Sequence, residues 1–221
     1  NFAVAGATAL NRSTLASYGI QSLDVPYLLM QLDWYELYLA NNPIPDYLYT
    51  VIGPIGGNDI IYAITQCNKT YNEISSMIPM IAETIVTVVK KILLSVNAVD
   101  QIHYLNLNFP LGCFPFIIDF FSYDPNIEKD TDGCIKMVNE LVMDLNSNIS
   151  SMVTDIRVVD IYSAYLDLIR DETYECVKFT PCCGNGGFVP SNIFCGGEDA
   201  FLCSNPDDYI HWDGVHLTSS A

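Results

Sequence analysis

The stretch that most constrains this chain runs from residue 47 to residue 59. An apolar, β-branched run, Tyr47–Ile52, breaks into Gly53, Pro54, Gly56 and Gly57 and then delivers Asn58 and Asp59. The run reads as a buried strand, and the glycines past its end let backbone approach a ligand closely. Taken alone, Gly-Gly-Asn-Asp reads as a strand exit closed by an Asn or Asp helix cap. The rest of the chain gives it a setting. Strand patterns at residues 1–4, 99–107 and 156–161 alternate with helical periodicity at 24–39, 74–96, 133–152 and 162–170. Within 24–39 the periodic residues are Leu28, Leu32, Tyr35 and Leu39, with Asp24 as N-cap, and within 74–96 they are Met77, Ile81, Ile85, Val88 and Ile92. Such alternation predicts an α/β fold, a parallel sheet wrapped by helices on both faces as a three-layer α/β/α sandwich. Ligands of open α/β sheets gather at the carboxyl ends of the strands, where Asn58 would stand. Its amide could donate to a developing oxyanion without carrying charge.

The 221 residues, half of them hydrophobic, are enough for one sizeable core, so a single domain over 1–221 is expected. With 26 acidic against 9 basic side chains the formal net charge is −17, which argues against nucleic acid as a partner. The longest apolar window, 74–96, carries Glu83, Lys90 and Lys91 and reads as a core helix, so no integral membrane segment is expected. Eight cysteines with no paired C-x-x-C motifs, and only three histidines, favour disulfides over a metal site. Plausible local pairings are Cys113 with Cys134, and Cys182 or Cys183 with Cys195 and Cys203, leaving Cys67 and Cys176 without assigned partners. Sequons at Asn11, Asn68 and Asn148 agree with an oxidising compartment and make these the candidate glycosylation sites. Residues 174–208 lack periodicity and concentrate glycine and cysteine, as expected of an insertion ordered by disulfides. The chain opens at Asn1 inside a strand pattern and stops at Ala221 inside an apparent helix start, so both ends of a longer protein are expected to be missing.

A second constellation closes the chain: Trp212-Asp213-Gly214-Val215-His216-Leu217-Thr218. Asp213 and His216, three apart across a glycine, are close enough for the carboxylate to hold one ring nitrogen while the other faces a nucleophile. That is the orienting half of a Ser-His-Asp arrangement. A capping aspartate beside a surface histidine would show the same spacing. His103, inside the 99–107 strand pattern, reads as a satisfied, partly buried histidine, and His211 as structural.

Residues 1–8 (Asn-Phe-Ala-Val-Ala-Gly-Ala-Thr), Gly56-Gly57-Asn58-Asp59, Pro110-Leu111-Gly112-Cys113, Cys182-Cys183-Gly184-Asn185-Gly186-Gly187 and residues 212–218 stand in one order. In that order and at that spacing the chain resembles the plant GDSL-type esterase/lipases of the SGNH hydrolase superfamily, over essentially its whole length. The resemblance implies a flavodoxin-like sandwich and a serine carboxylic-ester hydrolase acting through an acyl-enzyme on acyl esters of small plant metabolites or lipids. It implies Gly6 and Asn58 as the oxyanion hole, and His216 as general base oriented by Asp213. No metal or organic cofactor is implied, and the protein is expected to be a secreted or vacuolar monomer. An acyltransferase on the same site and a non-catalytic storage or binding protein are the alternatives.

The Gly-Asp-Ser-Leu block that carries the family's nucleophile has no match here, and no serine of the chain stands in a Gly-Asp-Ser or G-x-S-x-G setting. The nucleophile is therefore expected upstream of Asn1, and these 221 residues alone are expected to be inactive and poorly soluble, with a bare sheet edge where the first strand belongs.

Overall fold

The computed structural model describes residues 1–43, 46–95, 100–184 and 195–221. Val96 and Val99, at the ends of an expected helix and strand, lie outside the described residues, as does Asn185-Gly186-Gly187. Among the described residues the elements follow as α1 (Arg12–Ser17), α2 (Leu28–Asn41), β1 (Tyr47–Ile52), α3 (Gly57–Thr65), α4 (Tyr71–Ser75), α5 (Ile78–Leu94), β2 (Asp100–Asn106), α6 (Pro115–Phe120), α7 (Lys136–Met152), β3 (Arg157–Val159) and α8 (Ile161–Ile169). The chain divides into two compact units, residues 1–109 with 141–161, and residues 110–140 with 162–221.

The first unit holds a parallel sheet in the order β1-β2-β3. Tyr47 pairs with Asp100 and Ile52 with Leu105, and Tyr104 pairs with Arg157 through to Asn106 with Val159. Parallel neighbours need a crossover of a dozen or more residues, which α3 to α5 supply between β1 and β2, and α6 and α7 between β2 and β3. The α/β class expected from the alternation is what forms.

Apolar spacing sets the core of this unit. Met77, Ile81, Ile85, Val88 and Ile92, the expected face, are all buried, each worth about 1.5–3 kcal/mol relative to exposure. The expected single helix over 74–96 is nonetheless two. Thr70 caps α4 in a reciprocal capping box with Glu73, and Pro79, which has no N–H to continue a helix, starts α5 afresh. Likewise α2 begins at Leu28 rather than at Asp24. Pro26 disfavours helical backbone at Val25, and Asp24 turns instead to a surface ion pair with Arg12 at 2.9 Å.

Two strand expectations are corrected. Residues 1–4 form no strand, because a strand exists only where a neighbour takes its hydrogen bonds. Tyr47–Ile52 is a strand over the expected residues but not a buried one: Tyr47, Tyr49 and Val51 are about two-thirds exposed and only Ile52 is buried. Among the described residues β1 pairs with β2 alone. An apolar hollow of about 460 Å³ runs along β1, lined by Phe2, Val4, Leu32, Tyr35 and Ile92 among others.

In the second unit, the Cys113–Cys134 disulfide ties the turn before α6 to the start of α7. Helix α7 begins at Lys136 and not at Gly133, which sits at a φ of 87° inside a turn knotted by Asp130, whose carboxylate accepts from the amides of Asp132 and Cys134. Tyr165 and Ile169 are the buried residues of α8. Within residues 174–208, Cys182 pairs with Cys203 and Cys183 with Cys195, one of the two arrangements left open by the spacing, while Cys67 and Cys176 are free thiols. Among the described residues no helix is long and apolar enough to cross a membrane.

Candidate active site

In the first unit, Gly56 and Gly6 make the local geometry possible. Gly56 caps α3 at a φ of 98°, and a Cβ on it would lie 3.0 Å from Ile81, 3.1 Å from Leu145 and 3.2 Å from Ile85, so only glycine brings the chain this close to the core. Asn58 and Asp59 then fall in the first turn of α3 and aim at the loop over residues 6–10, where Gly6 takes a φ of 76°. The Asn58 side-chain amide donates to the Ala7 carbonyl at 2.8 Å, and the Tyr62 hydroxyl donates to the Gly6 carbonyl at 2.9 Å. An amide nitrogen carries two hydrogens, so the bond to Ala7 leaves Asn58 oriented with one donor to spare. From below, Asn108 donates to the Ile55 carbonyl at 3.0 Å and is itself held through its backbone by Asn146.

Asp59 is wholly buried and accepts from the amides of Ala9 (2.8 Å) and Leu10 (2.9 Å). Burial lifts its pKa to about 7 in spite of those two hydrogen bonds, which favour the charged form. The sequence marked Asp59 only as a cap candidate. Its partners lie 49 and 50 residues away, and Gly56, three residues earlier, occupies the cap.

In the second unit, the 213–216 turn carries both readings of its spacing at once. Asp213 Oδ1 accepts from the amides of Val215 and His216, each at 2.7 Å, which is the capping role. Asp213 Oδ2 holds His216 Nδ1 at 2.8 Å, which is the orienting role. Burial pushes the Asp213 carboxyl up, but the His216 ring and the two amides outweigh it and hold it below the usual carboxylate value. The His216 side chain is 71% exposed. Its Nδ1 fixed by a carboxylate, the ring presents Nε2 as the basic nitrogen.

What fixes this turn is a small cross-linked scaffold that periodicity could not foretell. Trp212 N donates to the His216 carbonyl (2.9 Å), closing the turn, and Phe116 N donates to the Gly214 carbonyl (3.2 Å). Cys182 N and Cys183 N donate to the carbonyls of His211 (2.9 Å) and Trp212 (2.7 Å), so both disulfides of the cysteine-rich segment are stitched to the turn's first limb. His211 is structural, as expected: fully buried, 2.9 Å from the Tyr165 hydroxyl through Nε2, edge-on to Phe114, its pKa brought down to about 4 by burial. His103 is only half satisfied, bonded to Gln101 through Nε2 at 2.9 Å while Nδ1 has no partner among the described residues. Replacing Cys182 and Cys203 by alanine should destabilise the protein by about 3 kcal/mol and release this turn. Thermal denaturation of the double variant checks it, and an unchanged melting temperature would contradict the assignment.

The arrangement offers a carboxylate-held imidazole in one unit and an amide donor beside a glycine turn in the other. Among the described residues no cluster of histidine, cysteine and acidic side chains could hold a metal ion. The family model for GDSL-like lipases and acylhydrolases matches residues 1–221. The chain is 33% identical to acetylajmalan esterase 2 of Rauvolfia serpentina over 248 aligned residues, covering all of this chain and 65% of that protein. It is 32% identical to acetylajmalan esterase of the same plant, of which it covers 62%, and 32% identical to a GDSL esterase/lipase of Arabidopsis thaliana, of which it covers 73%. The chain thus spans a little under two thirds of the length of the Rauvolfia relatives it matches.

Proposed function

Because this chain belongs to the GDSL-like lipase/acylhydrolase family, we propose that the whole protein is a serine carboxylic-ester hydrolase that works through an acyl-enzyme. The observation that carries the reading is the Asp213–His216 pair, its carboxylate fixed by two backbone amides and its imidazole fixed by the carboxylate at 2.8 Å. The nucleophilic serine belongs to a segment outside these 221 residues. His216 Nε2 takes the serine proton as Oγ attacks the acyl carbonyl. The negative charge that develops on the carbonyl oxygen is met by the Gly6 amide and the second hydrogen of the Asn58 amide. Collapse of the tetrahedral intermediate breaks the ester bond, and the imidazolium gives its proton to the departing alcohol. Water then attacks the acyl-enzyme with His216 again as base, releasing the acid and restoring the serine.

The substrates are acyl esters of small plant metabolites or lipids, a class supported by the esterase names of the relatives. The protein acts as a secreted or vacuolar monomer, a placement supported by three disulfides in a chain of this size. Turnover of a chromogenic short-chain acyl ester by the whole protein, and none by residues 1–221 alone, is the expected result. Turnover by the 221 residues alone would overturn the serine's placement. Asn58→Ala should lower kcat by about 10²–10³-fold with KM little changed, because its donor acts on charge that exists only in the transition state. Steady-state kinetics check this, and unchanged kcat would remove Asn58 from the oxyanion hole.

Of the three sequons, Asn68 is best placed for a glycan: it is exposed, at a φ of 50° in the turn after α3. Asn11 uses its carbonyl oxygen to cap α1, which leaves its nitrogen for a sugar. Asn148 spends its nitrogen on the Asp144 carbonyl within α7 at 2.9 Å. Glycopeptide mapping should find Asn68 the most fully occupied and Asn148 the least.

A further inference from the structure

We infer that Asp59 is a positioning residue for the oxyanion hole, gripping the 6–10 loop so that the Gly6 amide and the Asn58 side chain keep a fixed relation. The inference rests on the ester-hydrolase reading above and assigns a role to a side chain outside the proposed triad and oxyanion donors.

Five ties converge on five residues. Tyr62 holds the Gly6 carbonyl, Asn58 the Ala7 carbonyl, and Asp59 the amides of Ala9 and Leu10, while Leu28 N donates to the Thr8 carbonyl at 3.0 Å. The Thr8 hydroxyl closes on the Leu10 carbonyl at 2.7 Å. Three of the gripping side chains, Asn58, Asp59 and Tyr62, come from one face of α3. Helix and loop therefore form one clamp, and the oxyanion donors sit on its two jaws. The two Asp59 bonds use both carboxylate oxygens, Oδ2 for Ala9 and Oδ1 for Leu10, and asparagine in the same pose, the nearest isostere, would set an NH₂ against one of the two N–H groups.

The cost of the choice shows that it is not incidental. A carboxylate taken wholly out of water is unfavourable unless hydrogen bonds replace its hydration, and its pKa of about 7 reports how incompletely the backbone amides do so. A fold needing only a helix start would do better with the glycine cap it already has at Gly56. The bonds from Ala9 and Leu10 stop residues 7–10 from drifting. That in turn keeps the Ala7 carbonyl under Asn58, and Gly6 in the left-handed turn that sets the direction of its N–H.

The test uses the whole protein at pH 8, where Asp59 is ionised. Asp59→Asn should lower kcat by about 10–100-fold with KM within about twofold, and hydrogen exchange at Ala9 and Leu10 should accelerate at least tenfold while the α3 interior amides of Ala63 and Ile64 are unchanged. Tyr62→Phe, which removes a less buried tie of the same clamp, should lower kcat about 3–10-fold with KM again unchanged. It keeps the inference testable if Asp59→Asn does not fold. Wild-type kcat in Asp59→Asn, a rise in KM that accounts for the loss, or unaltered exchange at Ala9 and Leu10 would overturn it. Should the wild-type protein turn over no ester, the hydrolase reading falls by itself, and exchange at these two amides still decides whether Asp59 grips the loop.

Discussion

His216→Ala in the whole protein should lower kcat toward a short-chain acyl ester by about 10⁵-fold, with KM changed by no more than a few fold. A serine hydroxyl is a weak nucleophile until a base takes its proton, and the leaving alcohol departs slowly until an acid returns one. In the proposed mechanism one ring does both, so its loss touches every proton transfer while leaving the surfaces that hold the substrate intact. The side chain is largely exposed and, among the described residues, its ring is held by one bond, to Asp213. The variant should therefore fold and melt as the wild type does, so a loss of activity can be read as chemistry. Loss of less than about tenfold would mean that another group is the base.

Asp213→Asn should cost about 10⁴-fold in kcat with little change in stability, as expected when the tautomer rather than the geometry is lost. The asparagine oxygen can keep the bonds from the amides of Val215 and His216, so the turn persists. Its NH₂, however, would face His216 Nδ1 as a donor, forcing the ring proton onto Nε2, where the base should be. The pH dependence carries the same sign. The Asp213 carboxyl titrates below its usual range, so its charge and its hold on the ring survive mild acid and are lost only as pH falls through that lowered value. Steady-state kinetics with a melting curve check the prediction. A stable variant retaining more than a tenth of wild-type kcat would contradict the orienting role.

How much of this could be read from residues alone follows from the range of each signal. Periodicity is local, and it placed β1 over Tyr47–Ile52 and the buried face of α5 residue by residue. Proline and capping are local too, yet the run at 74–96 masked them: its apolar stripe continues through Met77, while Pro79 and the Thr70–Glu73 box divide the helix. Whether a strand is buried, or is a strand at all, depends on its neighbours, and so β1 turned out half exposed and residues 1–4 unpaired. The Asp213–His216 pair was legible because both partners lie within one turn. Asp59 was not, since nothing in a sequence shows that a carboxylate will meet amides some fifty residues earlier. The disulfides were legible to the extent that short spacing limits choice, and Cys182 and Cys183 could be told apart only by structure.

The proposed chemistry depends on His216 as the base toward the serine and on Gly6 and Asn58 as the oxyanion donors. The direct measurement is a crystal structure of the whole protein after reaction with a phosphonate that stays bonded to the serine and mimics the tetrahedral intermediate. The expected result is a phosphonyl oxygen about 2.7–3.1 Å from both the Gly6 amide and the Asn58 side-chain nitrogen, with His216 Nε2 on the serine oxygen. An adduct on a serine within these 221 residues, or a phosphonyl oxygen held by neither donor, would contradict it.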